Sequence, residues 1–69
     1  MKITYDKEAN AAYIYLKENG QNKVHKTYCC DPTEVNGVIN LDFDDKGQLL
    51  GIEILDANKV LHKDLLTVN

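Results

Sequence analysis

Carboxylate side chains recur in the second half of the chain at a spacing that is typical of calcium-binding loops. Positions one, three, six and twelve of such a loop are filled by Asp42, Asp44, Gly47 and Glu53. Position five, where an oxygen ligand is needed, is Lys46, whose positive charge opposes a bound cation. The flanking residues alternate as strands do, whereas a calcium loop joins two helices. We therefore interpret this stretch as a charged hairpin, and we expect no metal site and no cofactor.

Two cysteines and two histidines are the remaining side chains suited to nucleophilic or redox chemistry. Cys29 and Cys30 are adjacent, so in a strand their side chains point to opposite faces. His25 precedes them on the same predicted strand, and His62 lies far away in the sequence. A catalytic Cys–His pair needs both groups within hydrogen-bond reach, which this spacing does not favour. We expect two reduced thiols in a cytoplasmic protein and no catalytic residue.

The elements that must position these side chains follow from the hydrophobic period. Apolar residues alternate with polar ones over several short runs, which is the pattern of half-buried strands. Residues 19–22 and the pair Asn36–Gly37 are predicted turns, and Asp44 to Gly47 suits a type I turn followed by a left-handed glycine. The predicted strands span residues 2–5, 11–16, 24–30, 38–43 and 50–54.

After the last strand the apolar period changes to that of a helix. Asp56 is the predicted N-cap, and Ala57, Val60, Leu61 and Leu65 follow helical spacing over residues 57–66. We predict an α+β fold in a single domain over residues 1–69. Its sheet, over about residues 2–55, is predicted to be an antiparallel meander of four to five strands, with the helix packed on its apolar face, because short connections favour that topology.

Charge is distributed unevenly along this acidic chain. Eight lysines stand against eleven acidic residues, for a net charge of −3, and there is no arginine. Residues 31–56 alone sum to −6, whereas residues 17–30 sum to +2. Unlike charges on one small protomer favour self-association or the docking of a basic protein. The candidate partner-binding residues are Asp42, Asp44, Asp45 and Glu53.

The length of the chain favours association as well. A domain of 69 residues buries only about 60% of the surface that its unfolded chain exposes, so a second copy adds useful burial. We expect a homodimer with a basic protein as a further partner. No apolar run reaches the roughly 18 residues of a membrane span, and no secretory signal follows Met1, so we expect no membrane association.

Two alternatives of other classes stay open. The first is a small-ligand or metal-dependent enzyme that uses Asp42, Asp44, Glu53 and His62 on an acidic face. The second is weak binding of single-stranded nucleic acid through Tyr13, Tyr15 and Lys26, because aromatic rings beside cations stack on bases. The acidic balance and the absence of arginine make nucleic acid the least favoured partner.

Three stretches together resemble a known family. These are residues 5–14 (YDKEANAAYI), 37–42 (GVINLD) and 51–57 (GIEILDA). In this order they resemble the small bacterial, archaeal and phage proteins of domain of unknown function 2283. The resemblance implies a prokaryotic protein without assigned catalytic residues. Because some similar genes neighbour small toxin-like partners, it also implies that an antitoxin-like binding role is conceivable.

Overall fold

Five strands and two short helical segments make up the fold of the computed structural model, which describes residues 1–17 and 23–67. All five predicted strands are present, whereas the turn predicted at residues 19–22 lies outside the described residues. The elements are β1 (Lys2–Asp6), β2 (Ala11–Tyr15), β3 (Lys26–Cys29), β4 (Val38–Phe43), β5 (Leu49–Leu55), α1 (Ala57–Val60) and a 3-10 helix (Lys63–Thr67).

The strands form one antiparallel sheet in the order β1-β2-β5-β4-β3. The predicted meander is therefore wrong, because β5 lies between β2 and β4 and not at an edge. Composition gives the physical reason: β5 (LLGIEIL) is the longest strand and five of its seven residues are Leu or Ile, and a central position gives it a neighbouring strand on each side. The polar strand β3 (KTYC), whose four residues are all exposed, takes an edge.

The turn between β4 and β5 has the predicted form. Gly47 has a left-handed backbone with φ of 78°, and its N–H donates to the carbonyl of Asp44 at 3.1 Å. The Asp44 carboxylate accepts hydrogen bonds from the main-chain N–H groups of Lys46 and Gln48, at 2.9 and 2.8 Å. The register of β4 against β5 shifts between Asp42 and Phe43, just before the turn. The turn thus holds β4 and β5 in a defined register.

The core lies on one face of the sheet, which we call the apolar face. Ala12, Ile54 and Ala57 form its buried centre. Half-buried side chains from the strands and from the C-terminal segment surround this centre. They are Tyr5, Ile14, Ile39, Ile52, Val60, Leu61 and Leu66. The helical segments therefore cover the predicted apolar face of the sheet.

The predicted helix over residues 57–66 is too long, because α1 ends at Val60. Leu61 adopts an extended backbone there, and a separate 3-10 helix begins at Lys63. Leu61 and Leu66 both pack against the core, so contact with the sheet prevails over helical spacing.

The cap of α1 differs from the prediction as well. Asp56 has a left-handed backbone, and its side chain makes no capping hydrogen bond. Asn10, in the turn after β1, caps the helix instead of Asp56. Its carbonyl accepts the N–H of Ala57 at 2.9 Å, and its side-chain oxygen accepts the N–H of Asn58 at 3.1 Å.

Candidate functional site

The second face of the sheet, which we call the polar face, has no helix packed on it among the described residues. The strand register places the side chains of this face in three cross-strand rows. The first row is Thr4, Tyr13, Glu53, Asn40 and Cys29, the second is Lys2, Tyr15, Gly51, Asp42 and Thr27, and the third is Asp6, Ala11, Leu55 and Val38. Two of the four predicted partner-binding residues, Asp42 and Glu53, thus lie on this face.

Tyr13 crosses the central strand of the polar face. Its hydroxyl donates to Oδ2 of Asp42 at 2.8 Å, although β5 lies between their two strands. Gly51 makes this crossing possible, because a Cβ atom there would lie 2.6 Å from ring carbons of Tyr13. A side chain at position 51 and the present position of the Tyr13 ring therefore exclude one another.

Asp42 is the acceptor for hydroxyl groups from two other strands. Besides the bond from Tyr13, its Oδ1 accepts from the hydroxyl of Thr27 at 2.6 Å. This series of contacts ties β2, β4 and β3 together across the polar face. The Asp42 carboxylate is therefore held in a fixed position, and a fixed carboxylate is a better docking group than a freely rotating one.

Glu53 occupies a separate position on the polar face. Its Oε1 accepts a hydrogen bond from the side-chain amide of Asn40 at 3.0 Å. The register pairs Glu53 with Asn40 and Asp42 with Gly51, so the two carboxylates lie diagonally.

Asp44 and Asp45 lie in the turn between β4 and β5. Hydrogen bonds from the main-chain amides of Gln48 and Lys46 hold the pKa of Asp44 below its usual range, and nearby Lys17 and Lys46 lower that pKa further. Asp44 is therefore mainly a turn residue. Asp45 is exposed and is the carboxylate of the turn that most freely faces solvent.

An open cleft of about 440 Å³ lies beside this turn. Cations and anions share its lining, which includes Lys17, Lys23, Lys46, Asp44 and Asp45. The structure does not bring the four residues of the enzyme alternative together. Asp44 lines this cleft, whereas Asp42 and Glu53 lie on the polar face. His62 is exposed, and its Nδ1 lies 3.6 Å from Oδ2 of Asp64. Among the described residues, no group of three His, Cys, Asp or Glu side chains is arranged to hold a metal ion.

The residues of the nucleic-acid alternative are divided between the faces. The rings of Tyr13 and Tyr15 lie side by side on the polar face, with centroids 4.6 Å apart. Lys26 and Tyr28 pair with Phe43 and Leu41, so both lie on the apolar face. Lys26 therefore does not share a face with Tyr13 and Tyr15, which is the arrangement that this alternative requires.

The adjacent cysteines both have free thiols. Cys29 is exposed on the polar face at the end of β3, and Cys30, which lies outside that strand, is half-buried. Sequence reasoning missed Gly51 and Thr27, which position Tyr13 and Asp42. A glycine inside a strand signals a close approach, and this was the available clue to Gly51. In the described part of the chain, no helix has the length and apolar character to cross a membrane.

Comparison with known proteins returns relatives that are themselves uncharacterised. The model of a family described as protein of unknown function (DUF2283) matches residues 2–58. The chain is 39% identical over 64 residues to uncharacterized protein MJ0789 of Methanocaldococcus jannaschii. That alignment includes 93% of this chain but 47% of the relative, so the chain spans about half of the relative's length. No solved structure matches the chain.

Proposed function

The chain belongs to the DUF2283 family, and from its geometry we propose that it is a small non-enzymatic interaction module. In this proposal two copies associate as a homodimer, and the acidic hairpin of β4 and β5 presents carboxylates to a basic protein partner. An antitoxin-like role, in which the acidic surface covers a basic toxin, is one form of the proposal. We propose a cytoplasmic location for this activity.

The observation that carries the proposal is the small core of the isolated chain. Among the described residues the buried hydrophobic residues are Ala12, Leu50, Ile54 and Ala57, and two of these are alanines. Several large apolar side chains of the same described residues stay exposed, among them Val24, Tyr28 and Leu65. Contact with a second copy would remove such side chains from water.

The charge of the hairpin supports a basic partner. Residues 38–55 carry four carboxylates, on Asp42, Asp44, Asp45 and Glu53, against the single cation of Lys46. Asp42 lies on β4 and Glu53 on β5, and each of these strands has a neighbouring strand on both sides. A preorganised acidic surface loses little conformational entropy when a basic surface docks on it.

Capture from a lysate of the native host tests the partner. The double variant Asp45→Asn/Glu53→Gln removes two hairpin charges without touching the turn bonds of Asp44 or the hydroxyl bonds of Asp42. We expect the unmodified chain to retain a basic protein and the variant to lose it. The matched control Glu8→Gln/Asp64→Asn removes two charges outside the hairpin and is expected to retain the protein. Equal retention by all three chains would contradict the acidic docking surface.

A further inference from the structure

Strand β3 is an edge strand, and among the described residues it pairs with β4 alone. All four of its side chains are exposed. Tyr28, at its middle, is 54% exposed although it lies next to Leu41 on the apolar face. An edge strand presents unpaired main-chain groups that are suited to pairing with another strand. The edge at β3 therefore combines unused hydrogen-bonding groups with an exposed aromatic ring.

The register identifies which main-chain groups face outwards. The N–H of Cys30 donates to the carbonyl of Ile39 at 2.8 Å. Residues that exchange hydrogen bonds alternate along an antiparallel ladder, so Tyr28 and Lys26 also turn their main-chain groups towards β4. The N–H and carbonyl groups of Thr27 and Cys29 consequently point away from the sheet.

We propose that β3 pairs with β3 of a second copy in antiparallel orientation, about a two-fold axis at Tyr28. This inference rests on the proposed homodimer and specifies its geometry. Thr27 of one protomer exchanges main-chain hydrogen bonds with Cys29 of the other. The two-fold axis repeats these bonds between Cys29 of the first protomer and Thr27 of the second. The two sheets join into one sheet of ten strands, and the exposed Tyr28 rings meet on its apolar face. A second strand thereby satisfies the outward groups that a single copy leaves to solvent.

The charges at the two ends of β3 favour a second copy in this orientation. Lys23 and Lys26 lie at its start, and Asp31 and Glu34 follow its end. Antiparallel pairing about Tyr28 places the basic end of each strand beside the acidic end of the other. Parallel pairing would place like charges together, which opposes association. The same surface is thus complementary to itself, as a two-fold interface requires.

Hydrogen exchange of the unmodified chain tests the pairing without a substitution. In a single copy the amides of Thr27 and Cys29 have no acceptor in the sheet, whereas the amide of Tyr28 bonds to β4. We expect exchange at Thr27 and Cys29 to slow at least about tenfold from dilute to concentrated protein, with Tyr28 protected under both conditions. Equally fast exchange at Thr27 and Cys29 at both concentrations would overturn the proposed pairing.

A disulfide across the axis gives an independent test. Directly opposed residues that do not exchange hydrogen bonds have Cα atoms about 4.5 Å apart, which a disulfide accepts. Tyr28→Cys, in a background with Cys29→Ser and Cys30→Ser, is therefore expected to form a covalent dimer on mild oxidation. The control Thr4→Cys, at the middle of the opposite edge strand in the same background, is expected to stay monomeric under denaturing conditions.

The outcomes separate this inference from the proposed function. Cross-linking of Tyr28→Cys without cross-linking of Thr4→Cys supports the β3 pairing. Preferential cross-linking of Thr4→Cys assigns the contact to β1 and overturns it. A dimer in solution with neither cross-link nor protected Thr27 and Cys29 amides also overturns the β3 pairing, but it leaves the homodimer intact. A monomer at all concentrations overturns both.

Discussion

Replacement of Gly51 by alanine directly tests the crossing of Tyr13 over the central strand. The added Cβ atom would lie 2.6 Å from Cε2 and Cζ of Tyr13, whereas carbon atoms pack at about 3.5–4.0 Å. The ring must therefore retreat by about 1 Å, which breaks its 2.8 Å hydrogen bond to Asp42. Because the hydroxyl of Tyr13 anchors the polar face, we expect the substitution to destabilise the fold.

The magnitude follows from three opposing effects. Overpacking costs about 1–3 kcal/mol, and loss of a hydrogen bond to a carboxylate costs about 1.5–3 kcal/mol. Alanine in a strand interior gains about 0.5–1 kcal/mol over glycine. Since the ring relieves the overpacking as it gives up the hydrogen bond, the two costs are not added in full. We expect Gly51→Ala to lower the free energy of unfolding by about 1–3 kcal/mol.

Removal of the ring should reverse the sign of this effect. A Tyr13→Thr background removes the three atoms that lie nearest to the new Cβ atom, so Gly51→Ala is expected to be neutral there or to stabilise by up to about 1 kcal/mol. Urea unfolding followed by circular dichroism, at one fixed protein concentration, measures both differences. Gly51→Ala in the unmodified chain is expected to lower the midpoint by about 1–3 M, because such small domains have slopes near 1 kcal/mol per M. Equal destabilisation in both backgrounds would refute the crossing of Tyr13 over Gly51.

Three further predictions address the core, the hairpin turn and the cap of α1. Ile54→Ala should cost about 2–5 kcal/mol in urea unfolding, whereas Leu55→Ala on the opposite face should cost much less, and equal costs would contradict the assignment of faces. The folded-state pKa of Asp44 is lowered, so its stabilisation is present above the ordinary carboxyl pKa and is lost as pH falls through the folded value. Asp44→Asn should therefore be less stable at pH 7 and lose less stability between pH 5 and pH 2, as urea midpoints across pH would show. Asn10→Ala should cost about 1–3 kcal/mol by thermal unfolding, because it removes the side-chain bond to the N–H of Asn58 and strains a backbone with φ of 52°. Asn10→Gly removes the same side-chain bond but accepts that φ, so it should cost less, and an equal cost for the two variants would contradict the backbone strain.

Local patterns in the sequence are sufficient to predict the strands and the hairpin turn. Alternation over β4 and β5 identifies the apolar face through Leu41 and Ile52, and the spacing of Asp44 and Gly47 predicts the turn. These features depend on residues that are close together in the chain, so one sequence contains the whole signal.

The strand order and the cap of α1 depend on contacts between distant residues. The placement of β5 beside β2 depends on how the whole sheet buries its strands, and the local alternation of apolar residues does not predict it. Asn10 caps α1 from 48 positions away, so the adjacent Asp56 is the wrong choice although its residue type is favourable. Tyr13 and Asp42 meet over Gly51 for the same reason. The candidate site could therefore be predicted as an acidic hairpin, but its bonds to the neighbouring strands could not.

Association is the central claim, and the mass of the unmodified chain in solution tests it most directly. Sedimentation equilibrium across a series of protein concentrations distinguishes one copy of 7.8 kDa from two. We predict a mass twice that of the single chain at the higher concentrations, with dissociation on dilution. A mass of 7.8 kDa throughout the series would contradict the proposal that this small core is completed by a second copy.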